Sequence, residues 1–109
     1  MNFEQMEHIV TVEIEKSITK AAEKLFISTP GLSQSITQLE NELGIKIFNR
    51  SKKSITPTFE GEIVVSTANS VLKTIDEMNK KLNIYKNSYQ MHLKVKIAPA
   101  FFIYFKNFW

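Results

Sequence analysis

The stretch that most constrains this chain is "STPGLSQSITQLENELG", residues 28–44. It reads as one helix with both ends specified. Ser28 or Thr29 can cap the start, since a side-chain oxygen there accepts a backbone N–H that has no partner inside the helix. Pro30 is tolerated in the first turn for the same reason. Gly44 suits the left-handed position that closes a helix. Leu32, Ile36, Leu39 and Leu43 recur at i, i+4, i+7 and i+11 and so share one apolar face. The other face is Thr29, Ser33, Gln34, Thr37 and Asn41: short, polar and uncharged. A face meant only for water ordinarily carries charged residues, so this one calls for another explanation.

The rest of the chain is built to support such a helix. In "FEQMEHIVTVEIE", residues 3–15, Phe3, Met6, Ile9 and Val10 lie on one side of an amphipathic helix, whose end is weakened by β-branched residues. The carboxylates of this helix read as its solvated face. Ser17 caps a short second helix, "ITKAAEKL". Ala21 and Ala22 permit close approach of another helix, Leu25 supplies core, and "FIS" is a tight turn. After Gly44 the period changes. "IKIFN" alternates, "RSKKS" is polar and basic, and "ITPT" can be extended, which together make a β-hairpin wing over about 46–56. Its tip has no Asn-Gly or Asp-Gly pair to define the turn.

Thr58 caps a further helix with Glu60 in its first turn. From Val64 through Ala68, Val71, Ile75, Met78, Leu82 and Tyr85 to Tyr89 the apolar spacing alternates between four and three, a heptad seam. Gly61 is a weak point near the start. A narrow seam needs a partner helix, either its own copy in a dimer or a second domain. "LKVKIA" at 93–98 reads as a strand ended by Pro99, followed by the aromatic run "AFFIYFKNFW". The expected organisation is residues 1–58 as a compact domain, 59–90 as a pairing helix and 91–109 as the start of another domain.

With three glycines and three prolines among 109 residues, a mainly helical chain is expected rather than a loop-rich β fold. The absence of cysteine excludes disulfides and thiolate metal sites, and fits a reducing cytoplasm. The N-terminus has acids where a signal peptide is basic, and no window approaches the ~18 apolar residues of a membrane span. Charge is segregated. Residues 1–42 carry seven acids and three lysines, whereas Lys46, Arg50, Lys52 and Lys53 follow with no acid before Glu60. Such a run is either a solvated loop or a local positive field. His8 and His92 have no metal-spaced neighbours and are expected to be ordinary surface or interface histidines. Neither a nucleophile triad, a glycine-rich phosphate loop nor a carboxylate pair is present. No enzyme, metal or cofactor is therefore expected.

Helix, short helix, tight turn, capped helix and basic hairpin make a winged helix-turn-helix. In that motif the second helix of the pair enters the DNA major groove and its N-terminal residues reach base edges. This explains the uncharged face: glutamates would repel phosphates, and large apolar groups would leave base donors and acceptors unpaired. Ser, Thr and Gln bond to groove edges, Gln pairing well with adenine, while Thr29 and Pro30 can meet a thymine methyl. Arg50, Lys52 and Lys53 can lie along the backbone or enter a narrow minor groove.

The stretch "ITKAAEKLFISTPGLSQSITQLENELGIKIFNRSKKSITPTFEG" resembles the N-terminal DNA-binding domain of LysR-type transcriptional regulators. The likeness is carried by Ala-Ala-Glu-x-Leu at 21–25, Ser-x-Pro-x-Leu-Ser at 28–33 and Leu-Glu-x-x-Leu-Gly at 39–44. Phe-x-Arg at 48–50 and Thr-x-x-Gly at 58–61 complete it, so that it covers roughly residues 2–90. The resemblance implies base contacts from the recognition helix, about 29–43, at Thr29, Pro30, Ser33 and Gln34, and Ser28 and Thr37 are further DNA-binding candidates beside them. It implies phosphate contacts at Ser17 and Thr19 and wing contacts at Arg50, Lys52 and Lys53. It also implies dimerisation through the seam at Val64, Ala68, Val71, Ile75, Met78, Leu82 and Tyr85. Thr29 stands where the family commonly has Gln, Gly31 where it usually has Ala, and the wing tip lacks a frequent Gly. Family members carry a large effector domain, of which only the first strand is legible here. A shortened regulator without an inducer pocket is therefore expected. Its partners would be double-stranded DNA and its own copy, or, as a rival reading, full-length relatives that it inhibits as mixed dimers.

Overall fold

The computed structural model describes residues 1–50 and 54–86. The architecture is mainly helical: α1 (Phe3–Glu15), α2 (Ile18–Leu25), α3 (Thr29–Leu43), β1 (Phe48–Asn49), β2 (Thr56–Pro57) and α4 (Phe59–Lys86). The two strands form an antiparallel hairpin, with Phe48 opposite Pro57 and Asn49 opposite Thr56. This is the three-helix-plus-wing arrangement expected from the sequence. Lys52, Lys53, Tyr89, His92, the strand read at 93–98 and the aromatic run all lie outside the described residues, as does the side chain of Tyr85. The chain divides into two compact units, Met1–Asn69 and Ser70–Trp109, so the first contains about three turns of α4.

Helix α1 is the centre of the first unit. Asn2 caps it through a reciprocal pair: the Gln5 N–H donates to Asn2 Oδ1 (2.8 Å) and the Asn2 N–H to Gln5 Oε1 (2.9 Å). Glu7 through Val12 are buried without interruption. A stretch buried on every side of a helix is set by tertiary packing, which overrides the modest helix propensity of Val10, Thr11 and Val12. Two readings are corrected here: Glu7, assigned to a solvated face, is buried, and Phe3, assigned to the core side, is exposed. His8, expected at the surface or an interface, is buried.

Helix α2 starts at Ser17, whose Oγ accepts the Lys20 N–H (3.2 Å), and packs through the buried Ala21 and Ala22. Phe26 closes it in the left-handed conformation (φ 59°), a place where glycine is usual. Helix α3 follows at once. Ser28 Oγ accepts the Gly31 N–H (3.0 Å), and Gly44 ends the helix at φ 71° with its N–H on the Glu40 carbonyl. Leu32, Ile36 and Leu39 are fully buried as the spacing requires. Leu43 is not: it is exposed, and the fourth inward position belongs to Glu40.

The wing is anchored from both sides. Ile47, Phe48 and Ile55 are buried, and the Ile55 N–H donates to the Lys16 carbonyl (3.2 Å). Thr58 joins the wing to α4. Its N–H donates to the Ile47 carbonyl (2.9 Å), its hydroxyl donates to the Lys46 carbonyl, and its Oγ1 accepts the Gly61 N–H (2.9 Å). Gly61 is not a weak point in this setting. A Cβ there would stand 2.7 Å from the Ile47 carbonyl carbon and 3.0 Å from Ile47 Cα, so only glycine lets the helix and the strand leader meet.

Along α4 the buried positions are Gly61, Val65, Ala68, Leu72 and Asp76. This stripe is rotated from the heptad seam and shares only Ala68 with it. Val64, Val71 and Ile75 are half-buried, while Met78 and Leu82 are exposed. Ala68 has no exposed surface in the single chain, so its methyl belongs to the chain's own packing and is withdrawn from the pairing seam. Among the described residues no helix is long and apolar enough to cross a membrane.

Candidate nucleic-acid interface

The tight turn at Phe26-Ile27 places the capped start of α3 directly after α2. Thr29, Pro30 and Gln34 are exposed and Ser33 and Thr37 half-buried; Pro30, Ser33, Gln34 and Thr37 lie on the side of α3 away from Leu32, Ile36 and Leu39, while Thr29 sits one turn before Leu32 at the open start of the helix. The structure thus brings the residues assigned to base contacts together on one short polar surface. Ser28 is exposed as well, but its oxygen is already the helix cap. Ser17, half-buried at the start of α2 beside the exposed Thr19, is likewise a cap. In both serines the oxygen accepts an N–H, and the hydroxyl hydrogen remains available to a phosphate oxygen. The N–H groups of each first turn add a positive end to the helix dipole.

Arg50 differs from the expected free wing cation. Its Nη2 lies 3.3 Å from Glu40 Oε1 and its Nη1 donates to Ser33 Oγ (3.1 Å). Glu40 is only 3% exposed, and its other oxygen accepts the Ile47 N–H (2.8 Å) and, at greater length, the Phe48 N–H (3.4 Å). A buried carboxylate is costly unless its lone pairs are filled, and here wing backbone and guanidinium fill them. Glu40 was missed as a functional position. Its position four residues after Ile36 on the apolar side of α3 was a signal that it points inward. Thr37, Glu40, Lys46, Phe48 and Arg50 line a shallow depression of ≈ 240 Å³.

Behind the polar surface, His8 Nδ1 pairs with Ser35 Oγ (2.8 Å), tying α1 to α3. Burial pushes the His8 pKa below its ordinary 6.5, opposed by the nearby Glu4 carboxylate. Among the described residues no cluster of His, Asp or Glu could hold a metal ion.

A capped, uncharged helix presented beside a short helix and a hairpin defines a winged helix-turn-helix protein. Residues 3–62 match the family described as bacterial regulatory helix-turn-helix protein, lysR family. The chain belongs to that family. It is 36% identical over 100 residues to the HTH-type transcriptional regulator YkuM of Bacillus subtilis, covering 92% of this chain and 33% of that protein. It is 30% identical over 100 residues to the nitrogen assimilation regulatory protein nac of Escherichia coli, with the same two coverages, 92% and 33%. The chain thus spans about a third of the length of these curated relatives. Among solved structures, the BenM_DBD/benA site 1 DNA complex superposes with a TM-score of 0.75 at 34% identity, covering 81% of this chain and 99% of that one. Full-length OxyR C199D from Pseudomonas aeruginosa gives 0.71 at 36% identity, covering 80% and 30%.

Proposed function

We propose that this chain is a sequence-specific, DNA-binding regulator of transcription. In this reading α3 lies in the major groove and offers Thr29, Pro30, Ser33, Gln34 and Thr37 to base edges. Ser17 and Thr19 meet phosphates around it, Ser28 contributes at the helix start, and wing residues 46–56, including Lys52 and Lys53, follow the backbone or the minor groove, except Arg50, which Glu40 and Ser33 hold. The observation that carries the reading is the capped first half of α3, whose exposed face is polar and uncharged while its other face is fully buried. The likeness to a BenM domain solved on DNA supports it. On this reading the protein works in the cytoplasm.

Dimerisation through α4 is part of the proposal. The seam is Val64, Val71, Ile75, Met78, Leu82 and Tyr85, with Ala68 removed because its own chain covers it. Met78 and Leu82 are large apolar side chains left 50% and 42% exposed, which favours a second helix against them. The same surface would accept a longer relative, giving mixed dimers as the second reading.

The test is competitive binding of wild type and Gln34→Ala to a randomised duplex pool. Loss of a side chain suited to adenine is expected to reduce discrimination at one base pair by about 1–3 kcal/mol. Identical preferences for both proteins would show that this face does not read bases.

A further inference from the structure

Glu40 links wing backbone, guanidinium and recognition helix into one chain of hydrogen bonds. Oε2 holds the Ile47 N–H, Oε1 holds Arg50 Nη2, and Arg50 Nη1 reaches Ser33, two turns back along α3. Arg50 therefore spans the helix surface between its acid and the hydroxyl, with 31% of its side chain exposed.

The chemistry of this contact has only one direction. A guanidinium carries five N–H donors and no acceptor, so Ser33 Oγ must accept from it. The hydroxyl hydrogen is then left to point elsewhere, and the adjacent positive charge polarises it. The same charge disfavours approach of an amino hydrogen to the remaining lone pair. An oxygen held in this way donates outward.

We propose that Arg50 is a positioning residue that makes Ser33 a hydrogen-bond donor to the major groove. Resting on the DNA-binding reading above, the proposal specifies what Ser33 selects: an acceptor edge such as purine N7, guanine O6 or thymine O4, against the amino group of cytosine. Because Glu40 offsets its charge, Arg50 acts on base choice rather than on the phosphates.

The experiment measures full-chain binding to a randomised duplex pool, and then to duplexes differing at the selected base pair, over a range of salt. Ser33→Ala is expected to reduce preference at one base pair by roughly three- to tenfold, the range for one net hydrogen bond. Arg50→Ala should reduce it at the same base pair, the double variant should lose no more than either single one, and the salt slope should match wild type. The proposal is overturned if the two losses add, or if Arg50→Ala keeps its base preference while the slope falls by about one ion, the mark of a phosphate contact. Should Arg50→Ala fail to fold, Glu40→Gln carries the same test. Its amide oxygen still accepts the Ile47 N–H, but the charge that holds Arg50 is gone, so the same loss at the same base pair is expected and its absence refutes the idea. A wild-type chain with no sequence preference would instead sink the DNA-binding reading itself.

Discussion

Replacing Gly61 by alanine opposes two effects of different size. In an exposed helix the change would stabilise by roughly 1 kcal/mol, because alanine loses less backbone entropy. Here the added methyl would overlap the Ile47 carbonyl oxygen and stand 2.7 Å from the carbonyl carbon and 3.0 Å from its Cα, all backbone atoms that cannot rotate aside. Either α4 or the strand leader must retreat, and overpacking of this kind costs about 1–3 kcal/mol. The retreat also stretches the Thr58 N–H bond to the Ile47 carbonyl (2.9 Å) and the Thr58 hydroxyl bond to the Lys46 carbonyl, each contributing about 0.5–1.5 kcal/mol. The opposing terms leave a net destabilisation of roughly 1–5 kcal/mol. For a unit of this size that is a fall in melting temperature of at least about 4 °C. Thermal unfolding followed by circular dichroism measures it. Gly31→Ala is the control: its methyl would meet only the Ser28 hydroxyl, at 2.8 Å, which can give way. A Gly61→Ala protein that melts at or above wild type would refute the close-approach argument.

Other perturbations follow from the same packing. His8 is buried neutral, so the unfolded chain binds its proton first as pH falls. Its contribution to stability is complete above the ordinary 6.5 and is lost as pH drops from there toward the lowered folded pKa. Denaturant midpoints of wild type minus His8→Gln should therefore fall between pH 7.5 and 5.5; a constant difference would contradict the burial effect. Phe26→Asn should raise stability by about 0.5–1 kcal/mol, since asparagine tolerates the left-handed backbone and the phenylalanine ring is 80% exposed. A lower melting temperature would mean that the ring makes a contact its exposure hides. Met78→Glu with Leu82→Glu should shift a dimer toward monomer in sedimentation without lowering helix content, and an unchanged sedimentation coefficient would place the pairing surface elsewhere.

Local chemistry was legible in the sequence because it acts over a few residues. The caps at Ser17, Ser28 and Thr58, the stop at Gly44 and the inward Leu32, Ile36 and Leu39 each follow from a side chain and its own turn of backbone. So did the polar surface of α3, since a helix fixes which residues share a face. Partners distant in sequence were not legible. The spacing of α1 cannot say that Glu7 and His8 are covered, because that depends on what surrounds the helix. The heptad count along α4 detects an apolar stripe but not which of two adjacent stripes the chain uses itself, and so Ala68 was misassigned.

Arg50 and Gly61 mark the same division. From sequence, an arginine in a basic run is a free cation and a glycine in a helix is a defect, since each is judged by its neighbours along the chain. Tertiary structure set a buried acid against the first and a carbonyl against the second. What the chain's order determined by itself was the set of helices, their ends and the helix face that carries uncharged polar groups. Which groups stay free to act was decided only when α3, the wing and α4 met, because hydrogen bonds and steric contact depend on distances that sequence separation does not encode.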